Sequence, residues 1–321
     1  MRVEFCKALT TLLRADERSM LISGDLGFMA FEELQAQLGP RFVNAGIAEQ
    51  NMMGMAAGAA LTGLRPWVYS IAPFATYRCV EQIRNDICLH DLPVRVVGNG
   101  GGYTYGVMGS THHALEDLAV LKALPNLQLF FPCSNDHVNA AVNTLSSLPG
   151  PAYLRLGISA FTTDWPLLGE NPETLTRQYA CPTVAPEQSQ DLSQDARGSR
   201  LTVVGAGHGV QVALNALKNH GLAQLAVDVF GVARFPFDLA KDEALRSSIQ
   251  QTRKVLFVEE HYGPGGMGES FVAALPPLAG FRLMCARYDK AQRYGSPRFH
   301  MQQCNLTPEA LMATTRELIG A

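Results

Sequence analysis

Four short stretches of the 321-residue sequence combine residue types and spacings that could do chemistry. In the first, Asn44-Ala-Gly-Ile-Ala-Glu49-Gln, a lone carboxylate precedes a run of small residues: Gly54, Ala56, Ala57, Gly58, Ala59, Ala60 and Gly63. A glutamate in the first turn of a helix meets the positive end of the helix dipole. Either Glu49 serves that dipole from solvent, or the apolar surroundings bury it and it then needs a partner. Small residues along the helix let another backbone approach closely, in tight sheet or subunit packing.

The second stretch is Trp67-Val-Tyr-Ser-Ile71 followed by Pro73-Phe74-Ala-Thr-Tyr77-Arg78. Its aromatics could face a flat ligand ring, or could be core residues at helical spacing. The third runs from Gly98 through Gly100, Gly106 and Gly109 to Ser110-Thr-His112-His113 and on to Glu116-Asp117. So many glycines let backbone approach a ligand, although the spacing is not a dinucleotide-binding fingerprint. His112 and His113 are either acid/base groups, since imidazole titrates near neutrality, or structural residues at the start of a helix. Their adjacency is poor spacing for two ligands of one metal. In the fourth, Glu259-Glu-His261 leads into Gly263-Pro-Gly-Gly-Met-Gly268, which reads either as an anion site or as a tight strand-to-helix turn.

These stretches need a scaffold. Hydrophobic residues are 47% and charged residues 17% of the chain, enough for two cores. Lys and Arg total 26 against 29 Asp and Glu, a formal charge of −3, which excludes the clustered positive charge that nucleic acid or a membrane surface requires. The seven cysteines are scattered without a CxxC pair, so neither a zinc site nor a disulfide framework is indicated, and reduced cytosolic thiols are expected. The N-terminus mixes charges through an amphipathic pattern unlike a signal peptide. The most apolar long stretch, 52–64, falls short of the roughly 20 residues of a membrane span, so a soluble cytoplasmic protein is expected.

Strand-like runs at 20–23, 66–69, 94–97, 127–131 and 152–156 alternate with helical patterns at 4–17, 48–63, 76–90, 114–124 and 135–147. Such alternation predicts a mostly parallel sheet covered on both faces. Residues 159–199 turn rich in Pro, Gln, Ser and Asp and read as a connection, with room for a short strand. The α/β pattern resumes with strands at 201–205, 225–229 and 254–259 and a helix after Gly207. A last helix spans 307–319, with Thr307 as its N-cap and Pro308 in first position. Two α/β domains follow, at 1–158 and 200–321.

Taken in order, Gly24-Asp25-Leu26, Gly46-Ile-Ala-Glu49-Gln50, Gly109-Ser-Thr-His112, Glu116-Asp117, Pro125-Asn126 and Glu259-Glu260 with Gly265-Gly-Met-Gly268 resemble the pyrimidine-binding and C-terminal domains of the transketolase family. The resemblance covers most of the chain and is weakest over 159–199. It implies two doubly wound α/β domains and thiamine-diphosphate chemistry, in which a two-carbon ketol unit passes from a ketose to an aldehyde. Glu49 would bind the ring nitrogen of the cofactor's aminopyrimidine, Phe74 would stack on it, and Ile71 and Tyr77 would line the same pocket. His112 would face the reacting carbon, with His113 beside it in the substrate site. Met108 and Gly100 fall where the family places an aspartate and a histidine that contact sugar and phosphate. A phosphate-gripping arginine falls near Ile158, with Arg155 close enough to confuse the register.

In this family a Gly-Asp-Gly segment of a preceding domain binds magnesium and diphosphate. Here Gly24-Asp25 is followed by Leu26. The resemblance therefore implies a split enzyme, whose N-terminal diphosphate-binding subunit supplies the Mg2+ ligands in a two-plus-two heterotetramer. The beta subunit of a pyruvate-dehydrogenase-type decarboxylase and deoxyxylulose-phosphate synthase share these domains. A non-catalytic scaffold is the reading from another class, but a scaffold needs neither Glu49 nor Phe74.

Overall fold

The computed structural model describes residues 1–27, 30–158, 165–181 and 199–321. It divides into two compact units. The first comprises Met1–Ile158 with Arg234–Pro236 and Ala291–Ser296; the second comprises the other described residues.

The first unit is built on a seven-stranded sheet. Its strands are β1 (Ser19–Ser23), β2 (Phe42–Asn44), β3 (Arg65–Ile71), β4 (Arg95–Gly101), β5 (Gln128–Phe130), β6 (Ala152–Gly157) and the two-residue β11 (Arg234–Phe235). The order is β11-β5-β6-β4-β3-β1-β2, parallel throughout except where β11 pairs antiparallel with β5. The five central residues of β3 are buried, as expected of a strand covered on both faces. Helix α1 (Arg2–Ala15) buries Phe5, Leu9 and Leu13, and the Phe5 ring stacks on Tyr69 of β3 with centroids 5.9 Å apart. Helix α2 (Glu32–Leu38) precedes β2, and α3 (Glu49–Leu61) follows it.

Two helices differ from their sequence patterns. The periodicity over 76–90 is divided into α4 (Ala72–Thr76), a 3-10 turn Tyr77–Cys79, a short α5 (Val80–Gln82) and a π-helical stretch Ile83–Cys88. It begins four residues early because Pro73 is tolerated in a first helical turn, where its missing N–H has no partner to lose. The pattern at 114–124 forms only α6 (Asp117–Leu121), since Ala114 exchanges two backbone hydrogen bonds with Gly102 in an antiparallel bridge. Helix α7 (His137–Ser147) ends on Arg95, whose buried guanidinium donates to the carbonyls of Leu145 at 2.6 Å, Gly150 at 2.8 Å and Leu148. That arrangement satisfies carbonyls that a helix end leaves orphaned.

The second unit holds a six-stranded sheet of β7 (Leu167–Asn171), β8 (Thr176–Tyr179), β9 (Leu201–Ala206), β10 (Val227–Val232), β12 (Lys254–Tyr262) and β13 (Gly280–Ala286). The order is β13-β12-β9-β10-β8-β7, with a parallel core and an antiparallel hairpin, β7-β8, at one edge. Residues 165–181, which composition reads as connection, thus contribute two strands to this sheet; 159–164 and 182–198 lie outside the described residues. The strand expected at 225–229 is Val227–Val232, because Ala226 takes a left-handed conformation at φ 52° after a 3-10 turn. Helices α8 (Val210–Asn219), α9 (Glu243–Thr252), α10 (Met267–Ala273), α11 (Pro297–Gln303) and α12 (Pro308–Ile319) complete the chain. Thr307 caps α12 by accepting from the Ala310 N–H, with Pro308 in its first turn.

Candidate active site

Strand β2 and the turn after it deliver Glu49 as the first residue of α3, buried to 2% exposure. Of the two alternatives open in the sequence, the buried one holds. A buried carboxylate requires donors, and Glu49 has two: the Ser70 hydroxyl donates to Oε1 at 3.1 Å and Arg78 Nη1 donates to Oε2 at 3.0 Å. Ser70 lies one residue before the end of β3 and is fully buried, whereas the Arg78 side chain is 45% exposed.

The same guanidinium lies over the Phe74 ring, its carbon 4.4 Å from the centroid. That spacing along the chain, four residues, is the helical distance at which side chains meet. Phe74 in turn meets the His112 imidazole edge-on, with centroids 5.1 Å apart, and Thr111 Oγ1 lies 3.0 Å from His112 Nδ1. Glu49, Arg78, Phe74 and His112 therefore form one continuous chain of contacts. Ile71, half-buried, ends β3 and forms the N-cap of α4. Tyr77 donates to Glu116 Oε2 at 2.8 Å. Burial raises the Tyr77 pKa well above the ordinary phenol value, and the negative charge of Asp117 adds to the effect.

The adjacent histidines separate. His112 is half-buried against Phe74, while His113 is 8% exposed and packs edge-on against Tyr103 at 5.2 Å. Between β4 and His112 the loop is shaped by two glycines. Gly100 has φ +89°, and a Cβ there would meet the Tyr105 ring at 2.1 Å; Gly109 has φ +80°. Both conformations are ones L side chains rarely adopt. Tyr105 covers Gly100 and brings its ring to 6.4 Å from His112, while its hydroxyl accepts from Asn99 Nδ2 at 2.6 Å. Met108 and Ile158 are exposed.

Arg155 is not beside them as a free cation. Its Nη2 donates to the Ala114 carbonyl at 2.7 Å and its Nε lies 3.3 Å from Asp117 Oδ2, which also accepts from the Tyr153 hydroxyl at 2.7 Å. The turn after Glu259 likewise resolves as structure: its carboxylate accepts from the N–H groups of Met267 at 2.8 Å and Gly268 at 3.2 Å, the amides an anion would have used. Among the described residues no three His, Cys, Asp or Glu side chains stand together as a metal site requires, and no helix is long and apolar enough to cross a membrane.

Sequence reasoning assigned nothing to Ser70, Arg78 or Tyr105. The usable signals were the need of a buried Glu49 for a donor and the four-residue step from Phe74 to Arg78.

Residues 1–161 match the family model described as the transketolase pyrimidine-binding domain, and residues 191–298 match that of the transketolase C-terminal domain. The chain belongs to the transketolase family. This transketolase-family chain is 30% identical over 278 residues to one subunit of the apulose-4-phosphate transketolase of Phocaeicola vulgatus, covering 85% of this chain and 83% of that one. It is 31% identical over 272 residues to a putative transketolase C-terminal section of Methanocaldococcus jannaschii, covering 84% and 79%. A solved structure described as "Split gene transketolase, inactive beta4 tetramer" superposes with a TM-score of 0.75 at 26% identity, over 99% of this chain and 98% of that one. The Campylobacter jejuni transketolase, at 15% identity and a TM-score of 0.77, shares the fold over 46% of its own length.

Proposed function

We propose that this chain is the pyrimidine-binding subunit of a split, thiamine-diphosphate-dependent transketolase that moves a two-carbon ketol unit from a ketose donor to an aldehyde acceptor. The observation that carries the reading is the buried Glu49 carboxylate in the first turn of α3, joined to the Phe74 ring through the one guanidinium of Arg78. A carboxylate and an aromatic face are what an aminopyrimidine needs, one for its ring nitrogen and one for its π-surface.

When bound, thiamine diphosphate would supply the nucleophile and the electron sink for carbon–carbon cleavage. This chain's residues prepare and position. Glu49 would share a proton with the pyrimidine ring nitrogen, and its burial would keep water out of that contact. Phe74 would stack on the ring, and Ile71 and Tyr77 would line its edge. His112, held against Phe74, would exchange a proton with the hydroxyl or carbonyl oxygen at the reacting carbon. His113 supports that loop from its place against Tyr103.

The diphosphate and its Mg2+ would draw their ligands from a partner, the N-terminal diphosphate-binding subunit. One face of α3 suits close packing with another chain: Gln50, Gly54, Met55, Gly58 and Leu61 are exposed, with nothing within 4 Å of a Cβ built on Gly54 or Gly58. A two-plus-two heterotetramer closes such contacts by twofold symmetry. None of the seven cysteines is in a disulfide and five of them are buried, which fits a reducing cytoplasm.

For the acceptor, Met108 offers an apolar, adaptable surface, Gly100 offers no side chain, and Arg155 is committed to Asp117. This favours a substrate that is not an ordinary sugar phosphate. The Phocaeicola vulgatus relative is named for a phosphorylated substrate, and a phosphate here would take its ligands from the partner chain. The test is a donor and acceptor panel, free of lipoamide, on the complex of this chain with the diphosphate-binding chain of the same organism. Ketol transfer is expected from the complex and from neither chain alone. Transfer onto ribose 5-phosphate at about 10⁴ M⁻¹s⁻¹ or above would refute the non-phosphate acceptor; no transfer to any aldehyde would refute the function.

A further inference from the structure

One guanidinium holds both groups that the proposed cofactor site would use. Arg78 donates to Glu49 Oε2 at 3.0 Å and covers the Phe74 ring at 4.4 Å. A guanidinium is flat, carries N–H donors in its plane and stacks on aromatic faces, so it satisfies a carboxylate and a ring together. A protonated aminopyrimidine presents the same combination: a planar N–C–N unit with N–H directed at a carboxylate and a face directed at a ring. Arg78 therefore meets the site with the chemistry of the ligand it faces.

Access gives the relation a direction. Glu49 is 2% exposed, and its two donors differ sharply: Ser70 is fully buried within β3, while the Arg78 side chain is 45% exposed. Buried on β3, the Ser70 hydroxyl has no solvent to turn into. Arg78 can leave by rotating a long, flexible side chain into solvent. We infer that Arg78 is a displaceable gate over Glu49 and Phe74, which it must release before an aminopyrimidine can occupy them, while Ser70 remains on Oε1 and fixes the carboxylate.

The inference rests on the cofactor reading above, and the two are separable by calorimetry of thiamine diphosphate with Mg2+ on the complex with the diphosphate-binding chain. Binding, not turnover, is the readout. Arg78→Ala and Arg78→Met, the latter retaining the aliphatic stem, are expected to bind the cofactor about fivefold tighter than wild type, the factor set by releasing a partly exposed ion pair. Ser70→Ala is expected to bind it more weakly. A merely structural arginine would give the opposite sign, because its loss would disorder Glu49. Weaker or unchanged binding in both Arg78 variants beside normal wild-type binding overturns the gate. Absence of binding in wild type and variants alike overturns the cofactor reading and the gate with it.

Discussion

Tyr77 and Glu116 are joined twice through one oxygen: the phenol donates to Glu116 Oε2 at 2.8 Å, and the Glu116 backbone N–H donates back to the phenol at 3.1 Å. The pair ties the 3-10 turn carrying Arg78 to the N-cap of α6. Because burial raises the Tyr77 pKa well above its ordinary value, the hydroxyl keeps its proton as donor well into the alkaline range. Tyr77→Phe is expected to lower unfolding free energy by about 1–2 kcal/mol, the usual worth of such hydrogen bonds. Urea midpoints measure this; a midpoint equal to wild type would show the pair to be idle.

Glu49→Gln keeps the side chain's size; its amide oxygen can accept from Arg78 while its NH2 donates to the Ser70 hydroxyl, so the chain should fold. Its proton-sharing carboxyl is lost. Exchange of the cofactor's C2 proton in the reconstituted complex, followed by NMR in deuterated buffer, is expected to slow by about 10²–10⁴-fold. Exchange at the wild-type rate would remove Glu49 from the catalytic assignment.

Arg155 and Asp117 form a buried pair, with side chains 11% and 0% exposed. Asp117 Oδ1 has no hydrogen-bond partner among the described residues, so its charge leans on Oδ2 and on Arg155. Arg155→Met leaves that carboxylate facing only the Tyr153 hydroxyl, at an expected cost of about 3–5 kcal/mol. Adding Asp117→Asn should recover part of the loss. If Arg155→Met alone unfolds at the wild-type urea concentration, Arg155 is free for substrate after all.

Burial raises five thiols from 9.0: Cys79 to about 12, Cys6, Cys88 and Cys181 to about 11, and Cys285 in the same direction. The folded chain keeps protons that the unfolded chain releases near pH 9. This contribution to stability is therefore whole below about pH 9 and is lost as pH rises through 11 to 12. Denaturation at about pH 8 and about pH 10.5 should show the lower midpoint at the higher pH. Equal midpoints would mean that the thiols ionise freely in the fold.

What the sequence determined by itself was whatever depends on near neighbours. The alternation of strand and helix over 1–158, the Thr307–Pro308 start of α12 and the place of Glu49 in the first turn of α3 all follow from short-range pattern and capping. Tertiary structure decided the rest. Composition alone made 165–181 a connection, because a polar edge hairpin has no periodicity strong enough to announce it; pairing of Thr176–Tyr179 with Val229–Val232 makes it sheet. The helical pattern over 114–124 yields to the bridge between Gly102 and Ala114, formed across the glycine-rich loop. At the site, the carboxylate was legible but its donors were not: Ser70 and Arg78 lie 21 and 29 residues from Glu49. An apolar run leaves burial of the charge as one of two alternatives; only the folded sheet and the turn after it determine that Glu49 is buried and which side chains meet it.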